Sequence, residues 1–405
     1  MPGVMDGVRV VEVAAWTYVP MAGGVLAEWG ADVIKIEHPE TSDPQRGLIN
    51  SGMFDARSSV NFIIEHPNRN KRSVGIDLGV PEGHDVLLRL VATADVFLTN
   101  FRPAARRKLR IDVDDIRAVN PAIIYARGSG NGQRGEEAEG GGYDSATFWS
   151  RGGPADGATL GGSEQAVPMP SGAFGDGLAG LTLAGGIAAA LFWRERTGQA
   201  RVVDNSLLGM GAWAMSFAVA GCAAYGVERM PEWRHETAPN PVLNAYRTAD
   251  GRFIQLNFMQ PDRHLGELLD VIGRPDVAAD PRFADDRGRF EHRQELIGIL
   301  DDAFATRTAD EWRTALRGIE GVWAVQQTPG ELIRDPQVVA NQIVRDVTAA
   351  DGSTFKLVAA PLQFDEEPAA TGRAPAHGEH TDEVLLELGI DQDTLLELKV
   401  KGAIL

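Results

Sequence analysis

Residues 7–37, GVRVVEVAAWTYVPMAGGVLAEWGADVIKIE, decide the fold. The β-branched run at residues 8–13 predicts a strand, the small residues 20–29 predict a helix, and residues 33–36 (VIKI) predict a second strand. Such a unit places two parallel strands in one sheet, joined by a right-handed crossover. The loop 16–20 then lies at the carboxyl end of the first strand, where open α/β sheets bind ligands. No GxGxxG pattern occurs there, so a dinucleotide site has no support.

The same alternation continues downstream and predicts the fold class. Residues 72–78, 96–98 and 123–126 are predicted strands, and residues 81–94 form an amphipathic helix between the first two. Alternating strands and helices indicate an α/β protein with an open parallel sheet. We assign residues 1–230 to this large α/β domain and residues 231–320 to a smaller α+β domain. Residues 321–405 are expected to return to the large domain, because their short elements cannot form a core of their own.

The composition is that of an ordinary soluble globular protein. The 405 residues carry a net charge of −18, from 57 acidic and 39 basic side chains, which argues against nucleic-acid binding. The single cysteine, Cys222, lies in an apolar run, so neither a disulfide framework nor a cysteine zinc site is expected. We interpret the uncharged runs 177–193 and 206–227, rich in Gly and Ala, as buried helices rather than membrane spans. With no recognisable secretory signal, a cytoplasmic protein without a membrane partner is expected.

One carboxylate stands out in residues 171–196, SGAFGDGLAGLTLAGGIAAALFWRER. Asp176 lies in a glycine-rich turn before an apolar run long enough for a helix, whose end carries Arg194 and Arg196. It therefore sits at or just before a helix N-terminus, where free N–H groups and the helix dipole favour its ionised form. Two interpretations stay open. Asp176 caps the helix, or it does chemistry beside glycines that let a ligand approach closely.

A second carboxylate follows a polar, glycine-rich loop. Asp144, preceded by Tyr143, is either an acid–base partner of Asp176 or an ordinary turn residue. Phe148 and Trp149, just downstream, belong either to an apolar acyl pocket or to the core.

The histidines show no metal-binding spacing. His377 and His380 lie in a loop after Pro375, not on a helix that would present both rings to one ion. We therefore predict no metal site.

Basic side chains are concentrated in two stretches of the first third, NRNKRS and NFRPAARRKLR. In an acidic protein this asymmetry fits a phosphate-bearing ligand, because Arg and Lys make charge-assisted hydrogen bonds to phosphate. The alternative is a solvated helix face. The residues concerned are Arg69, Lys71, Arg72, Arg102, Arg106, Arg107, Lys108 and Arg110.

Five ordered segments together resemble the family III CoA-transferases, which include formyl-CoA transferase and the 2-methylacyl-CoA racemases. They are GVRVVEV…LAEWGADVIKIEHP, NRNKRSVGIDL, DVFLTNFRP, FGDGLAGLTLAGGIAAALFWRERTGQARVVDNSLL and HGEHTDEVLLELG. The similarity runs nearly end to end, and the ordered set is far more specific than any one motif. It implies an interlocked homodimer in which each chain threads through the other.

The resemblance also implies the chemistry. Asp176 matches the aspartate that attacks the acyl-CoA thioester to form a mixed anhydride. The released CoA thiolate then forms an enzyme–CoA thioester, from which CoA passes to the new acyl group. Backbone N–H groups of the glycine turn are expected to stabilise the tetrahedral oxyanion. Tyr143 and Asp144 match a Tyr-Glu pair of formyl-CoA transferase, whereas a racemase has histidine at the position of Tyr143, a residue suited to two-base proton transfer.

We therefore expect an enzyme that moves CoA from an acyl-CoA donor to a carboxylic acid. A 2-methylacyl-CoA racemase or epimerase and a non-catalytic CoA-binding protein are the alternatives. Coenzyme A enters as substrate and product thioester. The resemblance places its contacts at Trp16, Thr17, Tyr18, His38, Lys71, Asn100, Phe101 and Lys108.

Overall fold

The computed structural model describes residues 3–52 and 60–405. The chain divides into two compact units. The first runs to Glu228 and resumes from Gln337 to Leu405, and the second is Arg229–Pro336. The sequence placed the end of the second domain at residue 320. In the structure the unit extends further, because the strand that follows pairs inside it.

A sheet of six parallel strands forms the centre of the first unit. The strands are β1 Arg9–Val13, β2 Asp32–Glu37, β3 Arg72–Gly75, β4 Val96–Thr99, β5 Ile124–Ser129 and β6 Val202–Ser206. Their order is β3-β2-β1-β4-β5-β6, and every neighbouring pair is parallel, which confirms the open parallel sheet. In chain order, β2 and β3 are added on one side of β1, and β4, β5 and β6 are then added on its other side. The carboxyl ends of β1 and β4 therefore flank the crevice where such sheets bind ligands.

Helices cover both faces of this sheet. They are α1 Tyr18–Glu28, α2 Gln45–Leu48, α3 Phe62–Asn68, α4 Pro81–Ala92, α5 Pro103–Leu109, α6 Val113–Val119, α7 Pro154–Ala158, α8 Phe174–Thr197, α9 Leu207–Ala214 and α10 Ser216–Tyr225, with a π-helix at Asp144–Arg151. Successive residues of β1 point to opposite faces, so Val10 joins the core under α1 and α8 while Val11 joins the core on the other face. Gly180 allows α8 to lie close against α1, because a Cβ there would overlap Met21.

The two apolar runs behave differently. By length and composition α8 could cross a membrane, and so could the bent pair α9 and α10. In the folded chain α8 buries Ala179, Leu183 and Ile187 in the core. In the single chain, the interpretation of residues 206–227 as buried holds for Leu207 and Gly211 of α9 and is wrong for α10, which has no buried residue and leaves Phe217 95% exposed.

The second unit holds an antiparallel sheet and six helices. Its strands are β7 Ala245–Arg247, β8 Phe253–Asn257 and β9 Val322–Val325, and its helices are α11 Pro261–Val271, α12 Pro275–Ala278, α13 Asp286–Glu291, α14 Arg293–Phe304, α15 Ala309–Ala315 and α16 Pro329–Leu332, with 3₁₀ turns at His235–Thr237 and Pro281–Phe283. β7 and β8 form a hairpin around Asp250-Gly251, with Gly251 at φ 78°. Tyr246, Phe304 and Trp312 are among the side chains of its separate core.

The C-terminal part completes the first unit. α17 Pro336–Ala340 leads into the strand pair β10 Val344–Thr348 and β11 Thr354–Val358, and the chain ends with α18 Thr381–Glu387 and α19 Gln392–Val400. Leu385 and Leu395 of these last helices are buried in the core on the α4 face of the large sheet.

Candidate active site

Asp176 is in the first turn of α8, on the wall of a cavity of about 530 Å³. The cavity lies at the carboxyl ends of β1, β4 and β5, as the topology predicts. Its wall includes Trp16, Tyr18, Asn100, Phe101, Arg102, Tyr143, Asp176 and Leu207. A second hollow, of about 660 Å³, contains none of the predicted site residues.

Asp176 is not the cap of its helix. The N-cap residue is Ala173, in the left-handed conformation, and its side chain makes no capping hydrogen bond. Asp144 supplies the acceptors instead, because the N–H of Gly175 donates to both of its carboxylate oxygens at 3.1 Å. The backbone N–H of Asp176 also donates to Asp144. The Asp176 carboxylate is thereby left for the cavity.

Asp144 reaches this position because the chain forms a π-helix at Asp144–Arg151, an uncommon element that often marks functional sites. Asp144 begins that helix and is only 7% exposed. Phe148, one turn later, packs against Gly175, where a Cβ would overlap both its ring and Asp144. Gly175 is thus required for close packing and for the hydrogen bonds to Asp144. Phe148 belongs to the core rather than to the cavity wall.

Burial perturbs both carboxyl groups. It raises the pKa of Asp176 from 3.8 to about 7, and the negative charge of Asp144 adds to the effect. Burial also raises the pKa of Asp144, against the opposing influence of the N–H groups of Asp176 and Gly175. A group that titrates near neutrality inside a cavity is a candidate for chemistry.

The loop after β1 forms the opposite wall. Trp16 adopts the left-handed conformation with φ 66°, which is unusual for a bulky residue. Its N–H donates to Oδ1 of Asp43 at 3.1 Å. Asn100 holds the preceding residue from β4, accepting from the N–H of Ala15 at 3.1 Å and donating to its carbonyl at 2.6 Å. These contacts fix Trp16 on the cavity wall.

Comparisons with known proteins show the family to which the chain belongs. The sequence pattern of CoA-transferase family III matches residues 5–381. The chain belongs to the family III CoA-transferases. The (R)-2-hydroxy-4-methylpentanoate CoA-transferase of Clostridioides difficile is 33% identical over 396 residues, covering 98% of each chain. The cinnamoyl-CoA:phenyllactate CoA-transferase of Clostridium sporogenes is 30% identical over 398 residues, covering 97% of this chain and 95% of that protein.

A solved structure agrees with the sequence comparisons. A CaiB/BaiF family protein from Brucella suis superposes with a TM-score of 0.79 at 28% identity, covering 96% of this chain and 100% of that one. The family III CoA-transferase described here is an acyl-CoA:carboxylate CoA-transferase, and CoA thioesters are its substrates.

Five of the predicted residues meet around Asp176 in this CoA-transferase. Trp16, Tyr18, Asn100, Phe101 and Tyr143 all line the same cavity. The exposed ring of Tyr143 lies edge-on to that of Trp16, with centroids 5.9 Å apart, so the two aromatic side chains from separate loops frame the opening.

Lys71 does not reach the cavity. Its ammonium is buried and contacts both carboxylate oxygens of Glu12, at 2.9 and 2.8 Å, and the carbonyl of Pro20 at 2.7 Å. Burial lowers its pKa to about 7, with Glu12 opposing the shift. Lys71 therefore links β1 to α1 through Glu12 and the carbonyl of Pro20. Its position gives no support to a contact with CoA.

Three other predicted CoA contacts lie off the cavity wall. Thr17 accepts a hydrogen bond from the side chain of Gln45 at 2.7 Å. His38 accepts from the N–H groups of Glu40 and Thr41. Lys108 is exposed on α5.

Most of the predicted basic cluster is neutralised by acidic partners. The pairs are Arg69 with Glu28, Lys71 with Glu12, Arg72 with Asp32, Arg106 with Asp112, and Arg107 with Glu139. Arg102 and Arg106 both line the cavity, but Arg106 is buried and paired with Asp112, whereas Arg102 is exposed. The sequence pattern placed Arg102 in the basic cluster but did not predict it as a CoA contact. Its place directly after Asn100-Phe101 was the available signal.

The predicted oxyanion site is also different in the structure. The N–H of Gly175 donates to Asp144, and that of Gly177 donates to the carbonyl of Ala173 at 3.0 Å. The N–H groups of Gly175 and Gly177 are therefore already engaged. Across residues 3–52 and 60–405, no group of three or more His, Cys, Asp or Glu side chains could hold a metal ion.

Proposed function

We propose that Asp176 is the nucleophile of a CoA transfer from an acyl-CoA donor to a carboxylic acid. The observation that carries the proposal is a carboxylate on a cavity wall whose helix-capping function is performed by another residue, Asp144. Its pKa of about 7 provides an ionised fraction at neutral pH while retaining a basic, poorly solvated oxygen.

The reaction proceeds by four acyl exchanges, each of which involves the Asp176 carboxyl group. The Asp176 carboxylate adds to the thioester carbonyl, and the carbon–sulfur bond breaks to give a mixed anhydride and CoA thiolate. The thiolate attacks the aspartyl carbonyl and releases the first acid, leaving an enzyme–CoA thioester. The acceptor carboxylate attacks that thioester to give a second mixed anhydride and CoA thiolate. The thiolate then attacks the acyl carbonyl of the acceptor, which forms the new acyl-CoA and releases the Asp176 carboxylate. Each step keeps the reacting carbonyl within the same cavity.

Asp144 is a positioning residue in this scheme. It accepts the N–H groups at the start of α8, which fixes the backbone of Gly175 and Asp176. Its negative charge also keeps the pKa of Asp176 raised. Tyr143, 63% exposed beside Trp16, covers the mouth of the cavity where the acid enters.

CoA enters between the β1 loop and the start of α5. Trp16 and Phe101 offer apolar surface, and Arg102 offers an exposed cation for a phosphate. We leave Lys71 out of this site because its ammonium is already held by buried acceptors.

The acids are inferred from the relatives. The names of the Clostridioides difficile and Clostridium sporogenes transferases refer to 2-hydroxy-4-methylpentanoate and phenyllactate, both 2-hydroxy acids with bulky apolar side chains. We therefore place this acid class first in a substrate search.

We further propose an interlocked cytoplasmic homodimer. The support is the exposed apolar surface of α9 and α10, where Trp213, Phe217 and Tyr225 are 73%, 95% and 74% exposed. Light scattering of the purified chain is expected to give the mass of a dimer, and a monomeric mass would contradict this part.

The function is tested by incubating the protein with a panel of acyl-CoA donors and acids and measuring the product thioesters by mass spectrometry. Wild type and Asp85→Asn, which changes an exposed carboxylate on α4, are expected to exchange CoA, and Asp176→Asn is expected to have lost the activity. Full activity of Asp176→Asn would overturn the proposal. Deuterium uptake at C2 without any acceptor acid would support the racemase alternative instead.

A further inference from the structure

Tyr18 is the first residue of α1, and its ring is buried on the same cavity wall as Asp176. Its side chain is 6% exposed. The ring packs against Gly128 near the end of β5, where a Cβ would overlap it. Tyr18 is therefore held rigidly, with little freedom to turn its hydroxyl elsewhere.

The hydroxyl of Tyr18 has no hydrogen-bond partner among the described residues. The other two buried tyrosines are satisfied, since Tyr125 donates to the carbonyl of Ile111 at 2.8 Å and Tyr246 to that of Pro241 at 2.5 Å. Buried hydroxyls are nearly always paired, because an unpaired one loses its hydration without compensation. Because Tyr18 lines the cavity, its buried hydroxyl, unpaired among the described residues, indicates a partner that arrives with the ligand.

The electrostatics keep this hydroxyl protonated. Burial raises the pKa of Tyr18 well above its usual value, and the negative charge of Asp176 raises it further. Tyr18 and Asp176 line the same cavity, and Tyr18 stays a hydrogen-bond donor throughout the pH range in which Asp176 ionises.

We propose that the Tyr18 hydroxyl donates a hydrogen bond to the acyl oxygen that becomes negative when Asp176 adds to the thioester. In that step a carboxylate oxygen of Asp176 bonds to the carbonyl carbon, and the π electron pair moves onto the carbonyl oxygen. The pair returns as the carbon–sulfur bond breaks and the CoA thiolate leaves. Tyr18 transfers no proton, and its hydrogen bond strengthens as charge develops on the oxygen.

This assignment supplies a donor that Gly175 and Gly177 do not. The N–H groups of Gly175 and Gly177 are engaged within the protein, whereas the Tyr18 hydroxyl is unengaged among the described residues. It makes Tyr18 a catalytic residue rather than only a surface for CoA. The inference rests on the proposed nucleophilic role of Asp176.

Tyr18→Phe tests it, because the variant removes an unpaired hydroxyl and leaves the packed ring. Tyr125→Phe is the matched control, a buried tyrosine whose ring lies in the core on the opposite face of the sheet. We expect unchanged thermal stability for Tyr18→Phe and a rate of enzyme–CoA adduct formation about 10²-fold below wild type. KM for the acyl-CoA should change by less than about threefold. The fall of the adduct rate at low pH, called the acid limb of the pH profile below, should occur at the same pH as in wild type.

Three results would overturn the inference: an adduct rate within about threefold of wild type, a defect confined to KM, or a displaced acid limb. The last would show that Tyr18 acts on Asp176 in the resting enzyme and not on the acyl oxygen. If wild type itself forms no adduct at Asp176, the proposed function fails. If wild type forms it and Tyr18→Phe forms it equally fast, only the assignment of Tyr18 fails.

Discussion

The pH dependence of CoA transfer follows directly from the surroundings of Asp176. With a pKa of about 7, the carboxyl group is ~10% ionised at pH 6 and ~90% ionised at pH 8. In the proposed mechanism only the carboxylate attacks the thioester, so kcat/KM should fall about tenfold per pH unit well below 7 and level off above it. Single-turnover adduct formation between pH 5 and 9 measures this limb. A flat profile down to pH 5 would refute a buried, proton-bound nucleophile.

Asp144→Asn separates the two causes of the raised pKa. The substitution removes the negative charge but keeps an oxygen that accepts from the N–H of Gly175. Because burial is the larger cause and Asp144 the smaller, the acid limb should move to lower pH without reaching the ordinary range of an aspartate. Asp85→Asn should leave the limb unchanged. An unmoved limb in Asp144→Asn would show that the two carboxylates do not interact.

The same shift predicts a cost in stability. Asp176 binds its proton more tightly in the folded chain than in the unfolded one, so its contribution to stability is lost as the pH rises from about 4 to about 7. A change from 3.8 to about 7 corresponds to at most ~4 kcal/mol. Asp176→Asn should exceed wild type in free energy of unfolding at pH 8 and lose most of this advantage at pH 4, as measured by urea denaturation. An equal difference at both pH values would contradict the linkage.

Three further substitutions test the packing around Asp176, the proposed CoA contact of Arg102 and the buried charge of Asp43. Gly175→Ala should lower the free energy of unfolding by ~1–3 kcal/mol and impair transfer, because its Cβ overlaps the π-helix, whereas Gly185→Ala on the same helix has open space and should be tolerated in both assays. Arg102→Ala should raise KM for acyl-CoA about 3–10-fold, but it should leave KM unchanged for a pantetheine thioester, which lacks the nucleotide phosphates. Arg107→Ala should change KM for neither substrate. Asp43→Asn should destabilise the fold by ~3 kcal/mol, because it leaves the buried ammonium of Lys35 without the carboxylate that lies 2.9 Å away. Equal melting temperatures for variant and wild type would contradict this.

The sequence predicted the first unit well because its signals are local. Strands such as Arg9–Val13 and Asp32–Glu37 are short β-branched runs, and the small residues between them form one helix. Parallel pairing then follows from the handedness of the crossover. The α9–α10 pair shows the limit of this reasoning. Apolar composition indicates that a surface will be covered, but the single chain leaves Phe217 95% exposed.

The position of Asp176 was predictable from the sequence, and its surroundings were less so. The glycine-rich turn placed Asp176 at a helix start, but only tertiary contacts show that Asp144 takes the capping interaction. Positive charge in sequence was a poor guide to phosphate contacts, because Glu12 from β1 neutralises Lys71 within the fold. The Tyr18 hydroxyl, unpaired among the residues that the structure describes, has no sequence signal, since burial and hydrogen-bond partners are properties of packing.

The most direct test of the mechanism asks whether Asp176 becomes covalently linked to CoA. The protein is mixed with an acyl-CoA donor, without acceptor acid, and the thioester is converted to a hydroxamate with hydroxylamine. Trypsin should release the peptide 152–194, and fragmentation should locate the modification. A nucleophilic Asp176 predicts a hydroxamate on that residue and none in Asp176→Asn. Turnover without any modification of Asp176, or with the hydroxamate on another carboxyl group, would contradict the mechanism.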